Sequence, residues 1–239
     1  MTRLLAIDTS SAWCSVALSV DDNQPIVLHQ KVSAGASQLV LPWVESLLHT
    51  AQLELASLDA IAIGVGPGAF TGVRLGVAVA QGLAVSANLP VIPVISLDAI
   101  AAELVQTPHF LALKPNRFIV TCDARMDEVY WAQYQSTSSG FIRCGDIHLS
   151  SPEKVDLDDV EFMAGSAIDA YGDRLLGHVN KSFAVGSIDS QIGVSALGIL
   201  SCATLAWAQG FAQDVHLLEP VYIRNKVAYT ASERKQTHS

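Results

Sequence analysis

A chain of 239 residues and 25.4 kDa can bury a sizeable core, either as one large domain or as two lobes of about 100 residues each. Half of the residues are hydrophobic and only 15% are charged, which excludes long disordered stretches; the formal charge of −9 excludes a chain that holds nucleic acid alone through clustered Lys and Arg. Cys14, Cys122, Cys144 and Cys202 form no C-x-x-C pair, and no signal peptide or apolar run of about 18 residues is read, so free thiols, no membrane span and a cytoplasmic location are expected.

In chain order, Leu4 to Asp8 reads as a short buried strand, and Cys14 to Val20 as a second that Asp21-Asp22-Asn23 turns into a third at Ile26 to Lys31. A helix from about Ser37 to Ala51 follows from the spacing of Val40, Val44, Leu47, Leu48 and Ala51, with Pro42 kinking it or marking its true start. Ala60 to Val65 is a continuous apolar strand, after which the glycine-rich loop Gly64 to Gly72 opens a helix running to about Ala87. A strand at Val91 to Ile95 and a helix at Leu97 to Gln106 complete the first half, and the prolines between Thr107 and Asn116 mark a crossing between lobes.

The second half opens on strands at Phe118 to Cys122, Glu128 to Tyr134 and Phe141 to His148, then a short helix near Pro152 to Leu157 and a strand at Phe162 to Ala164. Residues 171–193 are ambiguous, and a long helix spans Ser195 to Phe211. The order therefore repeats, giving an α/β chain of duplicated βββαβα units with a first lobe at 1–106, a second at 107–218 and a C-terminal segment and tail at 219–239. Arg224, Lys226, Arg234 and Lys235 supply the only local basic enrichment, which reads as a solvated tail.

Three stretches carry chemistry. Asp8, Thr9 and Ser10 end a buried strand, where a carboxylate and hydroxyls either hold a hydrated metal beside a phosphate or merely cap the turn. In the loop from Gly64 through Gly66 and Gly68 to Gly72, backbone N–H groups and the following helix N-terminus suit an anion, yet the spacing matches neither G-x-G-x-x-G nor a P-loop and offers no lysine. Asp123 and Arg125 stand between the first two strands of the second half as Asp8 does in the first, and serve either a ligand or a structural ion pair.

The helix after the glycine loop has Gly72 and Gly76 on one face, with Ala80, Gly82, Ala84 and Ala87 keeping its surface small, so it meets either the preceding helix or a second chain. The seven histidines are isolated, with no H-x-x-x-H or H-E-x-x-H pair, so no metal grip and no nucleophile partner is read from them.

Leu5-Ala6-Ile7-Asp8-Thr9-Ser10, Gly66-Pro67-Gly68-Ala69-Phe70-Thr71-Gly72-Val73-Arg74-Leu75-Gly76, Asp123-Ala124-Arg125-Met126-Asp127-Glu128-Val129-Tyr130 and Glu219-Pro220-Val221-Tyr222-Ile223-Arg224-Asn225 together resemble the bacterial TsaB (YeaZ) family. The resemblance implies the two-lobed actin, Hsp70 and sugar-kinase fold and a non-catalytic scaffold. The scaffold would pair with the metal-bearing TsaD, which places a threonylcarbamoyl group on adenosine 37 of tRNAs reading codons that begin with adenine. Where TsaD carries its paired histidines, this chain has Leu97 and Ala101, and Ala36 replaces a histidine found in many family members.

The resemblance further implies an interface on the two first-lobe helices, at Leu41, Val44 and Leu48 of one and Thr71, Arg74, Leu75, Val77, Ala78 and Gln81 of the other. It implies TsaE as a third component, a homodimer when TsaD is absent, contact with tRNA only through the complex, and no cofactor beyond a nucleotide lodged against TsaD. Asp8, Thr9, Ser10, Gly66, Gly68, Asp123 and Arg125 remain as residual ligand positions. The competing readings are an ATP- and magnesium-dependent phosphotransferase or ATPase built on Asp8 and Asp123, and a metallopeptidase, suggested by the glycoprotease naming of relatives.

Overall fold

In a computed structural model, which describes residues 2–21, 23–32, 35–177 and 183–224, the chain forms two five-stranded mixed sheets with helices against them. The first begins as a meander of β1 (Arg3–Asp8), β2 (Trp13–Val20) and β3 (Ile26–Lys31), paired antiparallel in succession. Then come α1 (Ala36–Thr50), β4 (Ala60–Gly64), α2 (Phe70–Ala87), β5 (Val91–Val94) and α3 (Ser96–Leu104). β4 pairs parallel with β1 and β5 parallel with β4, which gives the order β3-β2-β1-β4-β5.

β1 reads as an unbroken apolar run because both its faces are covered. Leu5 and Ile7 join the cluster roofed by α1 and α2, while Leu4 and Ala6 join a second cluster formed with α3 and the last long helix. α1 continues through Pro42, so the expected start at that residue gives way to one at Ala36.

α4 (Pro108–Leu113) occupies the stretch expected to be a bare crossing. Thr107 accepts from the Phe110 N–H as its cap, and Pro108 supplies a preset first turn. The second sheet repeats the first: β6 (Arg117–Asp123), β7 (Val129–Thr137) and β8 (Gly140–Ser150) form a meander, β9 (Phe162–Ala164) pairs parallel with β6, and β10 (Ile188–Asp189) parallel with β9.

Its order, β10-β9-β6-β7-β8, repeats that of the first sheet strand for strand, so the duplication extends beyond the expected six elements to a fifth strand and a closing helix in each copy. This is the arrangement expected of the actin, Hsp70 and sugar-kinase fold. The expected helix near 152–157 shrinks to a single tight turn at Pro152–Lys154. Beyond it, Val155 and Leu157 are pulled into the second sheet's outer core, which a continued helix would prevent. α5 (Ala167–Tyr171) ends where the ambiguous stretch begins, and that stretch holds α6 (Asp173–Leu176) before β10. Asp22, His178 and the rest of 178–182, and Asn225 onward, including Lys226, Arg234 and Lys235, lie outside the described residues.

α7 (Ala196–Ala208), capped by Ser195, comes last in the second copy but lies across β1, β2, β4 and β5 of the first sheet. α3, last in the first copy, lies against β6, β7 and β8 of the second. The two helices cross where Gly198 meets the Ala99 carbonyl, at a contact that leaves no room for a Cβ. Asp98 of α3 accepts from Tyr134 (2.9 Å) and Arg143 (2.7 Å), tying that helix to the second sheet; burial raises its carboxyl pKa although both partners oppose the shift.

α2 is long and apolar enough, by length and composition, to cross a membrane, with mean hydropathy 1.3 over its 18 residues; the expectation of no such run missed it. Its inner face of Val73, Gly76, Val77, Ala80 and Ala84 is packed on the first sheet, the position of a core helix.

Phe118 is fully buried, stacked on Tyr134 (5.2 Å between centroids) and edge-on to Phe110 (4.9 Å). Phe118→Ala is expected to destabilise the fold by about 3–5 kcal/mol, read as a lowered midpoint in urea.

Candidate functional site

The carboxyl ends of β1 and β4 meet the start of α2, where a fold of this kind ordinarily admits a ligand. Here glycines bring the chain's own backbone up against the end of β1. A Cβ on Gly68 would strike the Ser10 carbonyl, one on Gly72 the Thr9 carbonyl, and one on Gly64 the Asp8 carboxylate. At Gly76 it would lie 2.9 Å from Thr9 Oγ1 and 3.0 Å from Ile63 Cδ1.

Hydrogen bonds stitch the same contact: Ala69 N–H donates to the Ser10 carbonyl (2.6 Å) and Thr9 Oγ1 to the Gly72 carbonyl (2.6 Å). Gly66, at φ +95°, takes a conformation that favours glycine and turns its carbonyl to the Ser96 N–H (2.9 Å). Gly72, Gly76, Ala80 and Ala84 of α2 thus pack inward, on the end of β1 and the first sheet, while Gly82 stands exposed; a charged side chain at Gly76 or Ala80 would break the core.

Asp8, Thr9 and Ser10 are buried as a result. Asp8 Oδ2 accepts from the Ser10 N–H (3.2 Å), and Asp8 Oδ1 has no partner. Burial pushes the Asp8 carboxyl up to about 7, with Ser10 opposing the shift through its hydroxyl and its N–H. Burial first, then Asp123 and then Asp8 push the Cys122 thiol up to about 12.

Asp123 and Arg125 form an ion pair of 3.2 Å, with the guanidinium almost wholly in solvent. Asp123 Oδ1 also accepts from the Arg125 N–H (2.8 Å) and the Tyr171 hydroxyl (2.9 Å), so its carboxylate anchors the β6–β7 hairpin. Among the described residues no three His, Cys, Asp or Glu side chains are grouped as metal ligands. Leu97 and Ala101 are fully buried in α3.

The outer face of α2 is different. Thr71, Leu75, Ala78, Gly82 and Val85 recur at alternating steps of four and three, the spacing of a helix-pairing seam. Thr71, Arg74, Ala78, Gly82 and Val85 are exposed, Val85 at 59%, and Leu75 and Gln81 are half-buried. Of the α1 residues implied as interface, Leu41 is 49% exposed, while Val44 and Leu48 lie in the core and floor a groove of about 390 Å³ that Leu41, Leu53, Leu55 and Leu83 also line. Val77 faces the core.

Phe70, Val85 and Tyr222 were not singled out from sequence: Arg74 sits 3.8 Å over the Phe70 ring and its Nε donates to the Tyr222 hydroxyl (2.9 Å). The seven-residue spacing on α2 would have found Val85; the Tyr222 contact is long-range and leaves no local signal.

A family model described as TsaD, tRNA N6-adenosine threonylcarbamoyltransferase, matches residues 27–171. The Escherichia coli protein named tRNA threonylcarbamoyladenosine biosynthesis protein TsaB is 33% identical over 95% of this chain and 96% of its own length. The chain belongs to the TsaB family. A TsaB relative from Haemophilus influenzae is 32% identical over 95% of both chains. Among solved structures, YeaZ from Pseudomonas aeruginosa superposes with a TM-score of 0.80 at 34% identity, covering 93% of this chain and 100% of that one. A second Pseudomonas aeruginosa structure, described as similar to peptidase YeaZ, reaches 0.82 at 34% identity, covering 94% and 100%. In this TsaB chain the glycine loop packs closely on the end of β1, and the outward seam of α2 is exposed beside it.

Because the folded-state pKa of Asp8 lies above its ordinary value of 3.8, ionising it opposes folding, and the penalty grows as pH rises from about 4 to about 7. Asp8→Asn is expected to be more stable than the parent by about 1–3 kcal/mol above pH 7, with the advantage vanishing near pH 4 in urea titrations across that range.

Proposed function

We propose that this chain is a non-catalytic scaffold subunit for the formation of threonylcarbamoyladenosine at position 37 of tRNAs reading codons that begin with adenine, acting by pairing with TsaD. The observation that carries the reading is the contrast on α2: its inner face brings backbone up against the end of β1, and its outer face leaves Ala78, Gly82 and Val85 bare beside the apolar groove of α1. Two helices so exposed accept a matching pair of helices from a partner, and in its absence from a second copy of the chain. The charge of −9 supports an assembly in which another protein holds most of the tRNA, in the cytoplasm with TsaE as a third component. The chain needs no cofactor of its own, and a nucleotide would lodge at the seam with TsaD.

The direct test is threonylcarbamoyladenosine formation in a reconstituted system with and without this chain. Formation is expected to fall at least tenfold when it is omitted, and turnover by the isolated chain would overturn the scaffold role. Ala78→Glu and Val85→Glu place charge on the exposed seam without touching the core. Each is expected to weaken pairing with TsaD by tenfold or more on a sizing column or by calorimetry, with thermal stability unchanged.

A further inference from the structure

The segment after α7 leaves the first sheet and ends in the second. Gln81 Nε2 of α2 donates to the Leu218 carbonyl (2.9 Å), and the Val221 N–H donates to the Val65 carbonyl (2.8 Å), extending the edge of the glycine loop. The Val221 carbonyl lies 3.4 Å from where a Gly66 Cβ would stand, so the segment lies directly on that loop. One residue on, Tyr222 is held by Arg74.

Arg224 then enters the β6–β7 hairpin of the other sheet. Its Nη2 donates to the Arg125 carbonyl (3.2 Å) and to the Glu128 carboxylate, its Nη1 approaches Met126 Sδ (3.2 Å), and its side chain is only 14% exposed. Arg224 Nε is buried without a partner.

The hairpin it enters is unusual. Arg125, Met126 and Asp127 take φ of 58°, 57° and 59° in succession, a left-handed turn of three non-glycine residues that persists only where the surroundings over-determine it. Local bonds run from Glu128 N–H to the Arg125 carbonyl (3.2 Å) and from Ala124 N–H to the Glu128 carbonyl (2.9 Å); Arg174 holds Asp127 from α6. Arg224 is the one of these partners that comes from a segment anchored on the first sheet. A largely buried guanidinium that donates from one nitrogen to both a carboxylate and a carbonyl is a charge-assisted, geometrically specific tie.

We propose that residues Leu218–Arg224 are a latch across the carboxyl ends of β1, β4 and β6, which holds the left-handed β6–β7 turn in place by tying it to the glycine loop. The latch works as one unit, so loosening either end loosens the other.

The test is residue-resolved amide hydrogen exchange on the whole, unpartnered chain. Arg224→Ala is expected to raise exchange about tenfold or more at Ala124 and Glu128 and also at Val221, while Ala6 in the β1 core keeps its rate. In the reciprocal lesions, Val221→Pro, which removes the N–H bonded to Val65, and Tyr222→Ala, which removes the Arg74 tether, are expected to raise exchange at Ala124 and Glu128 as well. Arg224→Lys keeps the charge beside Glu128 but loses the planar guanidinium that reaches both Glu128 and the Arg125 carbonyl, and should fall between parent and alanine variant; it also carries the test if the alanine variant fails to fold. The proposal is overturned if both first-sheet lesions leave Ala124 and Glu128 at parental rates, or if the Arg224 variants leave Val221 unchanged, since the two ends would then be independent.

Discussion

The close approach of α2 to the end of β1 is the constraint on which the rest of the molecule depends. With glycine at positions 68, 72 and 76, the helix backbone comes down onto the carbonyls of Thr9 and Ser10. No side chain can intervene between the start of the helix and those carbonyls. Asp8 is sealed beneath that contact, where an ionised carboxylate with one unpartnered oxygen is costly. The same descent leaves the outer face of α2 at the surface, so the close contact and the exposed seam are two consequences of one packing event.

The two copies of the repeat have been put to different uses on one plan. The first keeps a full α1 and α2 and presents both outward beside the apolar groove. In the second, the counterpart of α1 has shrunk to a turn at Pro152–Lys154, and the hairpin equivalent to Ser10–Ala12 is a left-handed turn pinned by Asp123, Arg174 and Arg224. The halves are joined by exchange rather than by a simple seam, since α7 crosses to the first sheet and α3 to the second. The apolar cluster formed around them runs from Leu4 to Phe162 and makes one core of both halves.

The family relationship is consistent with this division of labour. The TsaB relatives from Escherichia coli and Haemophilus influenzae match along almost the whole chain, so the similarity extends through both copies and through the strands between the specific motifs. The matching family model, named for the transferase TsaD, spans the end of the first meander, the glycine loop and most of the second sheet.

By itself, the sequence determined the elements whose causes are local: both meanders, the apolar run of β4, the glycine break before α2 and the repeat of strand order. Each rests on hydrophobic spacing and turn residues within about a dozen positions. Only the tertiary structure decided what those elements do to one another. Gly72 and Gly76 read from sequence as a packing face for the preceding helix or a second chain, and only the fold set Thr9 against them, its hydroxyl reaching the Gly72 carbonyl 63 positions away. The fading of a helix at 152–157 followed from the pull of Val155 and Leu157 into a distant core. Arg224, which sequence assigned to a solvated tail, is only 14% exposed and packs into the turn beside Glu128, its partner 96 residues away, because a charge is placed by its partners in space and those leave no trace in its neighbours along the chain.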